Sequence, residues 1–168
     1  MHRKLINFIC FNKTYPIELS LFNKHSNFFL NENKIDENIY LLNDNDFFEV
    51  HTKESIKEFI KYFQDQSINL QASNVISIQA LSMKYLVNQL QKDTDQFIKE
   101  HYNEVIEYYF STKKSRAPNY EELISTHFIE YSKDDRLYQL PISTLYRIQQ
   151  LFISKIKKEE NTKPEQIK

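Results

Sequence analysis

Apolar residues follow a strand-like pattern at the start of the chain and recur at helical spacing after it. Residues 4–11 hold five large apolar side chains and predict a β-strand. An Asn-Lys pair follows as a tight turn, and residues 14–17 predict the returning strand, so we expect a hairpin over residues 4–17. Pro16 cannot donate a backbone hydrogen bond and belongs at the edge or the end of its strand.

The clearest helical signal follows Thr52, which can cap a helix. The next apolar residues, Ile56, Phe59, Ile60 and Phe63, stand at positions i, i+3, i+4 and i+7. Residues at these positions share one face of a helix, so this segment predicts an amphipathic helix with a buried side.

Shorter segments complete the first half of the chain. Residues 17–27 predict a helix, and residues 39–42, 47–50 and 67–70 predict short strands. Ser73 is expected to cap the next helix.

The second half of the chain shows helical patterns alone. Adjacent apolar pairs recur every four residues over residues 97–110, which predicts three turns of one helix. A polar break ends at Pro118, and Asn119 with Glu122 resembles a capping box. Pro141 suits the start of the last helix. This order predicts an α+β protein with an all-helical extension.

The chain contains no glycine among its 168 residues. Dinucleotide-binding and P-loop motifs need glycine so that the backbone can approach a phosphate, and the nucleophile elbow needs it for a tight turn. These families are therefore excluded in their usual form. We expect the turns to be made by Asn, Asp, Ser and Lys.

Charge and cysteine content exclude further classes. The net charge is −1, which argues against nucleic acid as the main partner. Cys10 is the only cysteine, so a secreted disulfide scaffold is excluded, and we expect it to be a small buried strand residue. The apolar run near the N-terminus is too short and too polar for a signal peptide or a membrane span, which predicts an intracellular protein.

No motif in the sequence indicates catalysis or metal binding. The five histidines have no His, Cys or carboxylate at a metal-ligand spacing, and His101 and His127 lie on apolar helical stripes as core or boundary residues. No serine stands in an activating turn, and Ser26 is expected at a helix end. We therefore predict a protein that is not an enzyme and that uses no cofactor or metal.

The first half of the chain resembles the BTB/POZ family. After its hairpin, that family carries an aromatic residue, a proline or similar residue, and then spaced aliphatic, serine and phenylalanine positions. Within residues 15–29 the matching positions are Ile17, Leu21, Phe22, Ser26 and Phe29. Glu18 stands where the family usually has histidine, and residues 64–66 lack the glycine that the family often has there.

Later segments extend the resemblance over roughly residues 4–150. Residues 54–63, 67–70 and 74–75 look like the family's helix, short strand and next helix. Residues 96–105 resemble the opening of the helical BACK region that often follows a BTB domain, and the Leu-Pro step at Pro141 resembles a later part of it.

The resemblance implies a domain organisation. A BTB/POZ-like small sheet capped by α-helices is expected over residues 1–92, and a BACK-like helical extension over residues 93–157. The charged residues 158–168 predict a flexible tail.

The resemblance also implies a function, which is that of an adaptor for protein–protein interaction in the cytoplasm or nucleus of a eukaryote. One use of the fold is homo- or hetero-oligomerisation through the first strand and first helix, and another is docking to a cullin scaffold of a ubiquitin ligase. The residues expected to bind partners are Phe8, Phe11, Leu21, Phe22, Leu30 and Glu32. One alternative is a helical structural scaffold or adaptor without a BTB relation, and a second is an enzyme of an unfamiliar kind, which would need a concave pocket holding several titratable groups with shifted pKa values. We expect neither a nucleic-acid nor a membrane partner.

Overall fold

The computed structural model describes residues 4–11, 13–28, 38–40, 51–112 and 118–162. The chain forms two compact units, Met1–Val105 and Ile106–Lys168. The sequence placed its domain boundary earlier, at 92/93, within a helix that runs unbroken over Asn88–Glu100. The predicted α+β class is confirmed in its coarse form, because the described residues are mostly helical and include one small sheet.

The sheet of the first unit is built on the predicted hairpin. Strand β1 (Leu5–Cys10) pairs antiparallel with β2 (Lys13–Glu18), and Phe8 stands opposite Tyr15. Strand β3 (Asn38–Tyr40) pairs parallel with β1, so the strand order is β2-β1-β3. This third strand confirms part of the segment predicted over 39–42. The strand predicted over 47–50 lies outside the described residues.

Four helices and the start of a fifth lie in the first unit. They are α1 (Leu19–His25), α2 (Lys53–Asp65), α3 (Val75–Lys84), α4 (Asn88–Glu100) and the beginning of α5 (Tyr102–Thr112). Thr52 caps α2 as predicted: its hydroxyl accepts the backbone N–H of Ser55, and the Ser55 hydroxyl accepts the backbone N–H of Thr52. The cap of α3 is Asn74 rather than Ser73.

Alternation in the strand and helical spacing in α2 bring large side chains together. Ile6, Phe8 and Cys10 point to the buried face of β1, and the four apolar residues predicted for one face of α2 are all buried. The Phe8 ring lies 5.6 Å from that of Phe22 and 6.4 Å from that of Phe59, measured between centroids. These contacts form one continuous core of aromatic and aliphatic side chains.

Two secondary-structure predictions in the first unit are wrong. Residues 67–70 form no strand, and the backbone of Asn69 bonds to side chains instead: its N–H donates to Glu58, and its carbonyl accepts from the Asn74 amide. Residues 97–110 form two helices, α4 and α5, with His101 outside helical geometry between them. A four-residue apolar repeat continues across a single non-helical residue, so the pattern could not detect this break.

Positive backbone φ angles fall on residues that the sequence did not single out. Among the described residues, Phe11, Gln66 and Leu86 have φ between 49° and 54°. Asn, Asp, Ser and Lys were expected to supply such turns. The left-handed region costs a residue with a side chain about 1–2 kcal/mol. A chain without glycine accepts this strain at the end of α2, where Gln66 is the C-cap.

The second unit is helical within the residues that are described. It contains the rest of α5, α6 (Pro118–Thr126), α7 (Phe128–Tyr131), a 3₁₀ turn (Leu137–Gln139) and α8 (Ile142–Thr162). Helix α6 begins at Pro118, so Asn119 lies inside the helix and not at the predicted cap. Helix α8 runs to Thr162, past the predicted start of the tail, because Lys and Glu are good helix formers.

Candidate protein-interaction site

The predicted contact surface on the first strand and helix is largely internal. Phe8 and Phe22 are 0% exposed and belong to the core of the first unit. The expectation depended on their exposure, and neither offers side-chain surface to a partner. Strand alternation explains the burial of Phe8, because it shares a face of β1 with Ile6 and Cys10.

The remaining predicted contact residues have different positions. Phe11 and Leu21 are partly buried and pack against the core. Leu30 and Glu32, the proposed cullin-docking element, lie outside the described residues. A partner-binding role for these four residues stays a prediction.

A buried chain of hydroxyl groups connects α2 and α3 to His51. The His51 Nδ1 lies 2.6 Å from the Ser77 hydroxyl, which donates to the Ser55 hydroxyl at 2.7 Å. The Ser55 hydroxyl donates in turn to the carbonyl of Thr52 at 2.8 Å. Because Ser77 already donates its proton to Ser55, His51 Nδ1 must be the donor to Ser77. His51 is therefore not placed to act as a base toward Ser77. The hydrogen bonds connect α3, through Ser77, to α2, through Ser55.

Cys10 is buried, as the sequence predicts. Burial raises the pKa of its thiol to about 11, because the charged thiolate loses its hydration. The thiol is therefore protonated at neutral pH and a poor nucleophile.

An ion pair with a buried carboxylate and a partly exposed guanidinium joins α6 to α8 in the second unit. Glu121 is 2% exposed, and both of its carboxylate oxygens accept from Arg147: Oε2 from Nε at 2.8 Å and Oε1 from Nη2 at 2.7 Å. Arg147 Nη2 also donates to the Thr144 hydroxyl at 3.0 Å. The hydrogen bonds to Glu121 raise the pKa of Arg147. This bidentate pair fixes the rotation of α8 against α6.

Lys155 makes a second connection between the same two helices. Its ammonium group donates to the Glu122 carbonyl at 3.1 Å and to the hydroxyls of Ser125 and Thr126 at 3.0 and 2.5 Å. A cation at the C-terminal end of a helix is favourable because the last carbonyls carry partial negative charge. Lys155 therefore holds the second half of α8 close to the end of α6.

An open groove lies beside these contacts, between α6 and α8. Its volume is about 710 Å³. The residues that line it are Pro118, Glu121, Glu122, Tyr146, Arg147, Gln150, Leu151 and Ser154. The groove is bordered on one side by Tyr146, whose side chain is 61% exposed.

The outer face of α8 carries a continuous row of exposed residues that we call the α8 stripe. It consists of Ile142, Tyr146, Gln149, Ile153 and Ile156. At 100° per residue these five positions fall within an arc of about 80°. The buried residues Thr144 and Ile148 lie on the opposite side of the helix. The stripe is thus an apolar face that no other described part of the second unit covers.

Sequence analysis did not identify the α8 stripe, because helical spacing alone does not tell which apolar positions of the last helix are covered. Ile142 is 87% exposed, whereas Ile148 is 0% exposed. The detectable signal was the width of the pattern: the apolar residues of α8 occupy more than one face. The Glu121–Arg147 pair had no such signal, because its partners are 26 residues apart.

Within the described ranges, no three His, Cys, Asp or Glu side chains lie close enough together to hold a metal ion. Among the same residues, no helix has the length and apolar content needed to cross a membrane. A scan against protein-family models found no match for the chain, and a search of curated proteins found none either.

Proposed function

We propose that the chain is a protein-binding adaptor and that the α8 stripe is its principal contact surface. The observation that carries this proposal is the alignment of four exposed apolar residues along one helix face. Single exposed hydrophobic residues are normal on a protein surface and need no explanation. A row of exposed apolar residues on the side of a helix opposite its buried face, here interrupted by Gln149, is typical of an interaction surface.

The surroundings of the stripe suit this role. The Glu121–Arg147 pair and Lys155 hold α8 against α6, so the stripe is presented on a helix with a fixed rotation. A rigid surface loses little conformational entropy when it binds. The open groove beside Tyr146 offers a concave feature into which a partner side chain can insert.

Affinity capture with matched variants tests the proposal. The purified chain is immobilised as the natural sequence, as the double variant Ile142→Ser/Ile153→Ser, and as Ile129→Ser, in which an exposed isoleucine outside α8 is changed. We expect the natural chain and Ile129→Ser to retain the same proteins and the double variant to lose them. Retention of the same set by all three chains would show that the α8 stripe is not the contact surface.

A narrower form of the proposal concerns the first unit. We propose that it is BTB/POZ-like and docks to a cullin scaffold; the sequence resemblance supports this, and the order β1, β2, α1 is compatible with it. The test is a titration of the chain with a purified cullin scaffold. We expect saturable binding that Leu30→Ala/Glu32→Lys abolishes. Absence of binding at micromolar concentrations, with the chain folded by circular dichroism, would reject it.

A further inference from the structure

The spacing within the α8 stripe is that of a helix which packs along another helix. Its members are separated by 4, 3, 4 and 3 residues from Ile142 to Ile156. This alternation averages 3.5 residues, the repeat that keeps a seam of side chains facing a partner helix. The α8 stripe spans fourteen residue steps and is therefore about 21 Å long. Such a surface fits a helix as its partner better than a loop or a sheet edge.

The α8 stripe is complementary to the α8 stripe of a second copy when the two helices run in opposite directions. If Gln149 faces Gln149 of a second copy, Ile142 meets the second copy's Ile156, and Tyr146 lies within one residue step of the second copy's Ile153. Each pairing joins one residue of the first half of α8 to one residue of the second half. The central Gln149 side chains can exchange two hydrogen bonds, because each amide has a donor and an acceptor. A single polar position in an apolar seam fixes register and orientation.

The two flanks of the seam favour the antiparallel arrangement over the parallel one. One flank carries the half-buried apolar residues Leu145 and Phe152, and the other carries Ser143, Gln150 and Lys157. In an antiparallel two-fold pair the apolar flank of one copy lies against the apolar flank of the other, and the two polar flanks lie together. A parallel pair places the apolar flank against the polar one. The antiparallel pair also opposes the two helix dipoles favourably.

The exposed area sets the strength of this contact. The exposed fractions of the four apolar residues amount to roughly two whole side chains. With roughly 150–250 Å² for an aromatic side chain and less for isoleucine, the stripe offers roughly 300–450 Å² per copy. That is about half of the roughly 800 Å² per partner in a standard interface. The contact therefore supports a reversible dimer that forms at micromolar or higher concentration.

We propose that the occupant of the α8 stripe is a second copy of this chain, bound antiparallel about a two-fold axis at Gln149. This inference rests on the proposed function, since it names the partner of the same surface. It differs from dimerisation through the first strand and helix, because all of its contacts lie on α8.

Engineered cysteines test the geometry, and buried Cys10 lets the natural chain serve as the background control. Gln149→Cys is expected to form an interchain disulfide under mild oxidation. Ile142→Cys alone and Ile156→Cys alone are expected to form no interchain disulfide, because each cysteine lies about 21 Å from its counterpart in the antiparallel pair. A mixture of these two variants is expected to cross-link. Cross-linking of Ile142→Cys with itself would overturn the antiparallel arrangement.

Sedimentation equilibrium measures the association itself. We expect a monomer–dimer equilibrium for the natural chain, a dissociation constant at least tenfold higher for Ile153→Glu, and no change for Ile129→Glu. A monomer at every concentration up to 1 mM, without a Gln149→Cys disulfide, overturns the second copy as occupant. If capture of other proteins still depends on the stripe in that case, the proposed function stands, and if it does not, both proposals fail together.

Discussion

The two units differ in how their exposed apolar residues are arranged. In the first unit the aromatic side chains of the hairpin, α1 and α2 pack together in the core; Phe59, for example, contacts Phe8, Phe63 and Tyr85. In the second unit α8 divides its apolar residues between a buried face and the exposed α8 stripe. The first unit exposes Leu5, Met83 and Leu86 outside its core, whereas the second aligns four exposed apolar residues along one helix.

Charged side chains make additional contacts between segments of the second unit. Arg136 bonds both oxygens of Glu107, at 2.6 and 2.7 Å, and both oxygens of Asp134, while its guanidinium lies 5.1 Å from the centre of the Phe110 ring. The Glu121–Arg147 pair joins α6 to α8, and Arg136 joins α5 to the turn before Leu137. We infer that these charged contacts orient segments of the second unit that its buried apolar side chains, such as the stacked rings of Tyr109 and Tyr120, hold together.

The largest expected effect comes from the aromatic core of the first unit. Phe59→Ala should reduce the free energy of unfolding by about 3–5 kcal/mol, because it removes a fully buried ring and leaves a cavity. Urea denaturation measures this loss. Met83→Ala, at a position that is 51% exposed, should change the free energy by less than about 0.5 kcal/mol. Equal effects of the two variants would contradict a core centred on Phe59.

The next effect tests the Glu121–Arg147 ion pair between α6 and α8. Arg147→Ala should destabilise the second unit by about 1–3 kcal/mol, because it leaves the buried Glu121 carboxylate without its partner. Lys157→Ala on the same helix is the control and should have little effect. In Arg147→Ala/Glu121→Gln the second change should recover part of the loss, as measured by a double-mutant cycle. Additive losses would show that the two side chains do not interact.

A smaller effect concerns backbone strain in the first unit. Gln66→Gly should stabilise the chain by about 1 kcal/mol, because glycine adopts the φ of 54° at the C-cap of α2 without a steric penalty. Gln64→Gly is the matched control. It lies inside α2 and should cost about 1 kcal/mol. The opposite signs of the two changes, read from the thermal midpoint, check the assignment of the helix end.

The smallest effect is the acid dependence of the Arg136 contacts. Hydrogen bonds from Arg136 hold the pKa values of Glu107 and Asp134 below their ordinary values of 4.5 and 3.8. Folded carboxylates with lowered pKa values add stability above the ordinary values, and that stability is lost as the pH falls through the lowered ones. Arg136→Gln should therefore be less stable than the natural chain at pH 7, and the difference should shrink below about pH 4. A difference that is constant from pH 7 to pH 3 would contradict this.

Local patterns were sufficient for several elements. The hairpin over 4–17 followed from two apolar runs and an intervening Asn-Lys pair, and α2 followed from the spacing of Ile56 to Phe63 behind the Thr52 cap. Ser26 stands at the end of α1, as predicted, and donates to the carbonyl of Tyr85 at 2.5 Å. These features depend on neighbours within a few residues, and the sequence displays such neighbours directly.

Other features depend on contacts between distant residues. The strand expected over 67–70 was lost to side-chain bonds from α2 and the α3 turn, and the burial of Phe8 and Phe22 was decided by what packs on their faces. The same holds for the α8 stripe. Helical periodicity determined that Ile142, Tyr146, Ile153 and Ile156 share a face, but α6 covers the opposite face of α8 through Arg147 and Lys155. The sequence determines which residues lie together on a helix, and only tertiary contacts decide which of its faces remain exposed, because burial is a property of the neighbours.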